Sequence, residues 1–474
     1  MPARRRTAAL PLAVLLSAAP AGCGGGIDAD APPRHVLLIS IDTLRADHMG
    51  AYGYERPTTP FLDTLAARGV VFDSHMANSN CTLNSHASML TGLLEPAHGV
   101  RDGGREGERF ALPPAARTLA EELRAAGYRT AAFTSHPLWL NADFGFDQGF
   151  DTFVTSWRPA ERTVAEFLAL LDEERPERSF SFLHFFDVHS DEPAGEPVLP
   201  YLSTPELIDE FAGAVPEGFT GCSERIPDAC ASEYLKAVSN HVDVLAPGQL
   251  EFLVGLYDAG IRKLDGDLER LFGELERRGF LADALVVVTA DHGEAFMEHR
   301  RMLHSVHFDE VTRVPLFVVP PARMGLAPRR VSVLTQSTDV APTVLELCGR
   351  PPIGQTASLV PVLRGGEVSG PREALFHSNV LIGSDAGAPF KYVRTPAQPV
   401  FFDRASDPLE LVNRIAEPGY ASEHAERLER IGARLDGLLS RCAAVQRVLR
   451  EGAGAGPELS EEQRRELQKL GYFE

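Results

Sequence analysis

The chain carries little positive charge. Of its 474 residues, 46 are Lys or Arg and 66 are Asp or Glu, so the formal net charge is −20 at pH 7. Lysine occurs only at Lys236, Lys263, Lys391 and Lys469. A surface that binds nucleic acid is basic because it has to neutralise phosphates. The composition therefore excludes nucleic acid as an expected partner.

The chain also lacks a long apolar run beyond its first 23 residues, and a membrane-spanning helix needs about 18 or more such residues. Residues 1–23 combine Arg4 to Arg6 with a short apolar stretch that ends at Cys23. This pattern predicts a signal peptide with a lipobox, and so an exported lipoprotein of the bacterial cell envelope, periplasmic or at the outer surface. Plain secretion is the alternative. Membrane contact is expected through the lipid anchor only.

Cysteine is scarce, with six in the chain and five after Cys23. Export permits disulfides. Cys222 and Cys230 flank a short polar loop, and we expect them to be bonded. An odd number of remaining cysteines leaves at least one outside any internal pair.

Apolar runs of strand length are present, and each is followed by an acidic residue. The runs are residues 36–41, 180–186 and 284–290. Unbroken apolar strands are typical of a parallel sheet covered on both faces. Asp42 and Asp291 directly follow the first and third runs, and Asp187 follows the second. Because sites in open parallel sheets form at the carboxyl ends of strands, these three carboxylates are expected to converge.

Helical periodicity between these runs, at residues 113–127 and 249–278, supports an α/β domain. The expected segments are the signal peptide and lipobox at 1–23, the α/β domain at 34–345 with an insertion at 191–245 over the face where the strand ends meet, a smaller C-terminal subdomain at 350–450, and a C-terminal helix at 457–474.

Residues 82–92 (TLNSHASMLTG) predict a loop that enters a helix. A hydroxyl at a helix N-terminus lies where backbone N–H groups favour negative charge, which suits nucleophilic attack on an anionic centre. The alternative is structural, with Thr82 or Ser85 capping the helix.

Several motifs in one order resemble those of the sulfatases of the alkaline phosphatase superfamily, over nearly all of residues 34–474. They are IDTLRADHMGAYG at 41–53, FDVH at 186–189, the segment 257–265, TADHGE at 289–294, RVP at 313–315, FDRASDP at 402–408 and LGY at 470–472. The resemblance implies an alkaline-phosphatase-like α/β fold. A central, mostly parallel sheet would be sandwiched by helices, with a smaller C-terminal α+β subdomain.

The nucleophile position departs from that family. Its signature is Cys or Ser, any residue, Pro, Ser, Arg, four residues, then Thr-Gly. Alignment on Thr-Gly at 91–92 places Thr82 at the nucleophile and His86 at the arginine, while Cys81 is one position out of register for a formylglycine precursor. The family's Lys and His after the next strand are replaced by Ser135 and His136. Thr-x-x-Ser-His is similar to the nucleotide pyrophosphatase/phosphodiesterases of the same superfamily, which use threonine directly.

The resemblance implies an enzyme, a hydrolase that cleaves a sulfuric, phosphoric or phosphonic ester through Thr82 and a covalent intermediate. Water clears a phosphothreonine more readily than a sulfothreonine, which favours phosphoryl or phosphonyl transfer. The expected partner is a sulfated or phosphorylated small molecule, glycan or lipid head group. The alternative is a catalytically degenerate envelope lipoprotein that binds glycans.

The metal ligands of the family, matched to this sequence through the same motifs, imply one divalent metal ion held by Asp42, Thr82, Asp291 and His292. Ca²⁺, Mg²⁺, Mn²⁺ and Zn²⁺ all suit this set of oxygen and nitrogen ligands. Thr43 replaces a second family aspartate, which lowers the oxygen count and weakens the case for Ca²⁺.

Three histidines complete the expected catalytic set. His86 stands at the arginine position, and His189 and His304 would contact the ester oxygens or protonate the leaving group. His307 competes with His304 for that role. Asp187 would orient His189 or serve a second metal ion, and the residues do not choose between these.

Overall fold

The computed structural model describes residues 31–450, except 102–109, 192–198, 202, 224, 227–229 and 368–371. The expected signal peptide and lipobox (1–23) and the expected C-terminal helix (457–474) lie outside the described residues. No helix in the described part is long and apolar enough to cross a membrane.

The strands fall into one large sheet and three small ones. In chain order they are β1 His35–Ile41, β2 Val70–Phe72, β3 His75–Met76, β4 Arg129–Thr134, β5 Thr152–Thr155, β6 Ser179–Phe185, β7 Ala284–Ala290, β8 Ala295–Phe296, β9 Met302–Leu303, β10 Leu316–Val319, β11 Arg329–Val331, β12 Thr335–Gln336, β13 Ala374–Phe376, β14 Val380–Asp385, β15 Ala388–Val393 and β16 Val400–Asp403.

The helices lie between these strands along the chain. They are α1 Pro60–Ala66, α2 Thr82–Thr91, α3 Glu95–His98, α4 Leu119–Ala125, α5 Ala160–Glu174, α6 Pro205–Phe211, α7 Ser232–Ser239, α8 Gln249–Arg277, α9 Asp309–Thr312, α10 Val340–Leu347, α11 Val360–Leu363, α12 Tyr420–Glu423 and α13 Ala425–Arg450.

The large sheet has eight strands in the order β11-β2-β10-β7-β1-β6-β4-β5. Of these strands only β10 is antiparallel to its neighbours. β1 lies in the middle, with Ile41 in register with Phe185 of β6 and with Ala290 of β7. The three apolar runs are therefore adjacent parallel strands whose carboxyl ends are level, as their composition predicts.

Side-chain alternation along the strands divides the core into two apolar layers. On β1, Val36 and Leu38 pack into the layer that holds α2, α4 and α10. Leu37 and Ile39 pack into the layer that holds α1, α5 and α8. The sheet is covered by helices on both faces, and this confirms the predicted α/β class with its mostly parallel central sheet.

The C-terminal part adds a four-stranded antiparallel sheet, β13-β14-β15-β16, and the long helix α13. Lys391 on β15 of this sheet contacts helix α9 of the preceding domain. Its ammonium donates to Asp309 on α9 at 2.9 Å and to Glu410 at 2.7 Å. Lys391 is fully buried, so its charge needs these carboxylates.

The insertion contributes α6, which packs on α8, and α7. Cys222 and Cys230 form a disulfide, as expected from their spacing. Cys230 is two residues before α7 begins. Closing so short a loop stabilises the folded insertion by about 2–3 kcal/mol in the chain-entropy model. Cys81, Cys348 and Cys442 carry thiols.

Candidate active site

Thr82 is the first residue of α2, a helix whose ten residues are all buried. Its hydroxyl donates a hydrogen bond to Asp42 Oδ2 at 3.2 Å. The Ser85 hydroxyl donates to the main-chain oxygen of Asp291 at 2.6 Å. Neither hydroxyl caps the helix, because both are directed at the two strand-end aspartates. The capping alternative is therefore wrong for this pair.

Three potential metal ligands meet beside Thr82. One ligand atom from each of Asp42, Asp291 and His292 lies within 4.8 Å of the other two. Asp42 Oδ1, Asp291 Oδ2 and His292 Nε2 are buried, and none has a hydrogen-bond partner among the described residues. Buried polar atoms are normally paired. Two carboxylate oxygens and an imidazole nitrogen that lack hydrogen-bond partners and face one another fit a divalent cation, so these residues could hold the expected ion.

The backbone fixes the direction of Asp291. Its Oδ1 accepts from the N–H of Thr43 at 3.2 Å and from the N–H of His292 at 2.8 Å. Thr43 has a φ of 56°, which is costly for a β-branched residue. Its hydroxyl donates to the main-chain oxygen of Val188, away from the ligand cluster. Thr43 therefore orients a ligand and is not one itself.

His86 lies one turn along α2 from Thr82, and both of its ring nitrogens bond within the protein. Nδ1 donates to the Thr82 carbonyl at 2.7 Å, and Nε2 pairs with the Ser40 hydroxyl at 2.9 Å. Burial lowers the pKa of His86 to about 3, so the ring is neutral. The related signature has a charged arginine at this position, and the neutral His86 supplies no charge. Both ring nitrogens of His86 bond to protein groups, so it is a residue that positions its neighbours.

His184 on β6 was missed by sequence reasoning. Its Nε2 lies 3.2 Å from Asp42 Oδ2, and its ring meets that of His86 edge-on at 4.9 Å. Burial lowers its pKa to about 4. The backbone N–H of Ser135 donates to Nδ1, which puts the proton of the neutral ring on Nε2, facing Asp42. A histidine near the end of an otherwise apolar run was the available signal.

Asp187 does not converge with the other two aspartates. Its Oδ1 accepts from the N–H of Ala160 at 3.0 Å and lies 3.4 Å from Lys263 Nζ. Ile41 of β1 pairs with Phe185 of β6, so Phe186 lies opposite Asp42. Because side chains alternate along a strand, the side chain of Asp187, one residue further, faces the other side of the sheet, in the layer that holds α5 and α8. The expected convergence of three carboxylates is wrong for Asp187. It does not orient His189, whose Nδ1 pairs with Asp191.

A cavity of about 140 Å³ adjoins the nucleophile loop and is lined by His189 and His304. The N–H of Asp191 donates to His189 Nδ1 at 3.0 Å, which leaves the ring proton on Nε2. His304 Nδ1 lies 3.6 Å from Glu294 Oε2. Both histidines are neutral, because burial lowers the pKa of His304 to about 4 and that of His189 well below its usual value. His307 stacks on Phe308 and is not among the lining residues.

The carboxylates around the ligand cluster are held in an environment that disfavours charge. Burial raises the pKa of Asp42 to about 7 and that of Glu294 to about 8. Glu294 is fully buried, and its two carboxyl oxygens have no hydrogen-bond partner among the described residues. A cation at this site would offset the mutual repulsion of these groups.

Lys236 also lines the cavity, together with Asp191 and Ser232. It belongs to α7 of the insertion, and sequence reasoning did not select it. Burial lowers its pKa, and the nearby Asp191 opposes that shift. No sequence pattern in residues 191–245 predicts a functional role for this lysine, because its position at the cavity depends on the tertiary structure of the insertion.

An open α/β sheet with a potential metal cluster, a threonine hydroxyl and two histidines at its carboxyl edge is an arrangement suited to hydrolysis of anionic esters. The sulfatase family model matches residues 34–350. The chain belongs to the sulfatase family, whose members hydrolyse sulfuric and phosphoric esters.

Characterised relatives resemble the chain over most of its length. It is 24% identical to the Delta 4,5-hexuronate-2-O-sulfatase of Bacteroides thetaiotaomicron over 85% of the chain and 89% of that enzyme. It is 25% identical to the multifunctional alkaline phosphatase superfamily protein PehA of Trinickia caryophylli, over 82% and 92%. The phosphonate monoester hydrolase of Agrobacterium radiobacter has a similar fold, with a TM-score of 0.67, 22% identity and coverage of 86% and 96%.

Proposed function

We propose that the protein is a metal-dependent hydrolase of phosphoric or phosphonic monoesters, and secondarily of sulfuric esters, with Thr82 as its nucleophile. The observation that carries this proposal is the hydrogen bond from Thr82 Oγ1 to Asp42 Oδ2 at 3.2 Å. It places a hydroxyl, a proton acceptor and the ligand cluster together at the N-terminus of α2. Backbone N–H groups there favour the negative charge of the reacting group.

The first chemical step forms a bond between Thr82 Oγ1 and phosphorus or sulfur while the bond from that atom to the ester oxygen breaks. The hydroxyl proton passes to Asp42 Oδ2, and the departing oxygen takes up one proton from solvent water. In the second step, water attacks the same central atom and releases one proton to solvent, while the bond to Oγ1 breaks and Thr82 Oγ1 takes its proton back from Asp42. The net reaction is addition of one water across the ester bond.

Asp42, Asp291 and His292 would hold one divalent ion, with Thr82 beside them. When bound, such an ion supplies positive charge that lowers the pKa of a nearby hydroxyl and balances the charge of the transferred group. The residues around it orient the ligands: Thr43 and His292 N–H groups hold Asp291, and His184 holds Asp42.

His189 is the proposed donor to the leaving oxygen. Its Nδ1 accepts from Asp191, so Nε2 carries the proton, and Nε2 has no partner among the described residues. His304 lies beside it, with ring centroids 5.4 Å apart. A neutral imidazole donates a hydrogen bond to an oxygen that gains charge as the ester bond breaks.

The preference for phosphorus over sulfur follows from the nucleophile. Threonine carries one hydroxyl, so its ester is released only by water at the central atom, and a phosphothreonine is cleared that way more readily than a sulfothreonine. Phosphonate and multifunctional relatives are among the similar proteins. They support a site that accepts more than one tetrahedral anion.

The proposal is tested with metal-loaded protein produced in cells that lack a formylglycine-generating system. Aryl esters that share one phenol as leaving group would be compared as sulfate, phosphate monoester, phosphate diester and phosphonate monoester. We expect higher kcat/KM for the phosphorus monoesters than for the sulfate. Turnover of the sulfate alone would contradict the proposal.

A second candidate function is a catalytically inactive protein that binds glycans of the cell envelope. It is favoured by one observation, the neutral and fully bonded His86 at the position of the signature arginine. A binding protein has no need of a stoichiometric divalent ion. Metal content near one ion per chain, together with ester turnover, would exclude this candidate.

We also propose export and lipid anchoring at Cys23. The Cys222–Cys230 disulfide supports an oxidising compartment, because such bonds are rare in reducing ones. Metabolic labelling with a fatty acid, compared between the native chain and Cys23→Ala, tests the anchor. Equal labelling of both would contradict it.

A further inference from the structure

The cavity lined by Asn80 and Cys81, the two residues before Thr82, needs a positive charge if it binds an anionic ester. His86, at the signature position, supplies none, because its ring nitrogens bond to the Thr82 carbonyl and the Ser40 hydroxyl and it is not among the lining residues. Among the lining residues that the structure describes, Lys236 is the only Lys or Arg. The others include Asp191 and the uncharged Asn80, Cys81 and Ser232.

Lys236 lies at the cavity on α7, and both ends of this helix are bonded to neighbouring segments. At its start, the disulfide joins Cys230 to Cys222, and the N–H of Ala231 donates to the Gly221 carbonyl at 2.8 Å. At its end, Ser239 Oγ bonds both the N–H and the carbonyl of Met302, each at 3.1 Å. Met302 is two residues before His304, so α7 is joined directly to the segment that carries a proposed catalytic histidine.

We infer that Lys236 binds a non-bridging oxygen of the anionic group transferred to Thr82, and so replaces from the insertion the charge that the signature helix lacks. This inference rests on the proposed function and names a further residue of the same site. Lys236 lines the same cavity as His189 and His304, the two histidines proposed to contact the ester. Burial lowers the pKa of Lys236, and the nearby carboxylates of Asp191 and Glu233 oppose that shift.

The position of Lys236 in an insertion has a consequence for specificity. Residues 191–245 lie outside the strands and the signature helix that carry the metal ligands and the nucleophile. The positive charge for the transferred group therefore comes from a different segment than the nucleophile and the metal ligands. The ligand class is a tetrahedral oxyanion with at least one negative charge.

The first experiment measures binding of inorganic phosphate to metal-loaded protein by calorimetry. We expect Lys236→Gln to weaken binding about 10- to 100-fold, since a hydrogen bond to a charged group is lost, and Lys236→Arg to recover most of the affinity. Arg225→Gln removes one charge from the same insertion and is the matched control, because the Arg225 side chain is 64% exposed and outside the lining. Equal phosphate affinity in Lys236→Gln and wild type would overturn the inference.

The second experiment compares kcat/KM for two phosphate monoesters, one with a neutral leaving group and one with an additional carboxylate. Lys236→Gln should lower both to the same degree at unchanged metal content. A loss confined to the carboxylate-bearing ester would overturn the inference, since Lys236 would then bind the leaving group. If the wild type hydrolyses no ester, the proposed function fails, while the phosphate measurement still decides the role of Lys236.

Discussion

The Thr82 hydroxyl donates to Asp42 Oδ2 across 3.2 Å, from the first residue of a helix to the residue that follows the central strand. The contact exists because Asp42 has the same side-chain direction as Val36 and Leu38, which face the α2 layer. Asp42 thereby joins the nucleophile to the ligand cluster.

Asp42→Asn should weaken metal binding and at the same time stabilise the metal-free protein. The substitution removes one ligand oxygen, so we expect metal affinity to fall by about 100-fold or more. The metal-free variant should be more stable than metal-free wild type at pH 8, since burial raises the pKa of Asp42 to about 7 and its charged form is unfavourable there. Titration with a metal ion and thermal unfolding in chelator give the two values. A metal-free variant less stable than wild type would contradict this.

Gly293→Ala should disturb the ligand next to it. A Cβ at Gly293 would lie 2.0 Å from the Glu310 carbonyl oxygen, which belongs to the backbone and cannot move alone. We expect a loss of about 2 kcal/mol or more of unfolding free energy and weaker metal binding through His292. Gly266→Ala in α8 is the control, because its nearest atoms are 3.8 Å away and alanine favours a helix. Equal effects of the two substitutions would contradict the prediction.

His98 should make stability depend on pH. Burial lowers its pKa from 6.5 to about 4, so below pH 6.5 the unfolded chain binds a proton that the folded protein does not. Stability is therefore lost as the pH falls from 6.5 towards 4, by about 2 kcal/mol at pH 5. His98→Asn keeps an acceptor for the Val100 N–H and removes the titration. Urea unfolding in chelator should show the wild-type advantage over His98→Asn shrinking between pH 7.5 and 5; a constant difference would argue against it.

Much of the fold followed from the sequence. The predicted runs 36–41, 180–186 and 284–290 match β1, β6 and β7 within one residue, and the helix 249–278 matches α8 equally well. Strands that are buried on both faces consist largely of apolar residues, so the ends of an apolar run predict the ends of the strand. Asp42 and Asp291 could be placed together because each follows such a run directly, and His292 was added by the resemblance to the sulfatase family.

The remaining residues depend on tertiary structure. Asp187 was misplaced because its direction is set by the register of β6 against β1, and a shift of one residue reverses a side chain. His184 was hidden inside an apolar run. Lys236 lies in the insertion, where a disulfide and contacts with Met302 set its place, and neither leaves a periodic pattern.

The most direct test of the account is an acid-quench experiment followed by mass spectrometry of peptides from metal-loaded protein that was incubated with a phosphate or phosphonate monoester. The account predicts a phosphoryl or phosphonyl group on Thr82. Turnover should fall by about 10³-fold or more in Thr82→Ala, stay substantial in Thr82→Ser, and remain within about tenfold of wild type in Cys81→Ala. A modified Cys81, or an aldehyde at that position with activity lost in Cys81→Ala, would contradict the account.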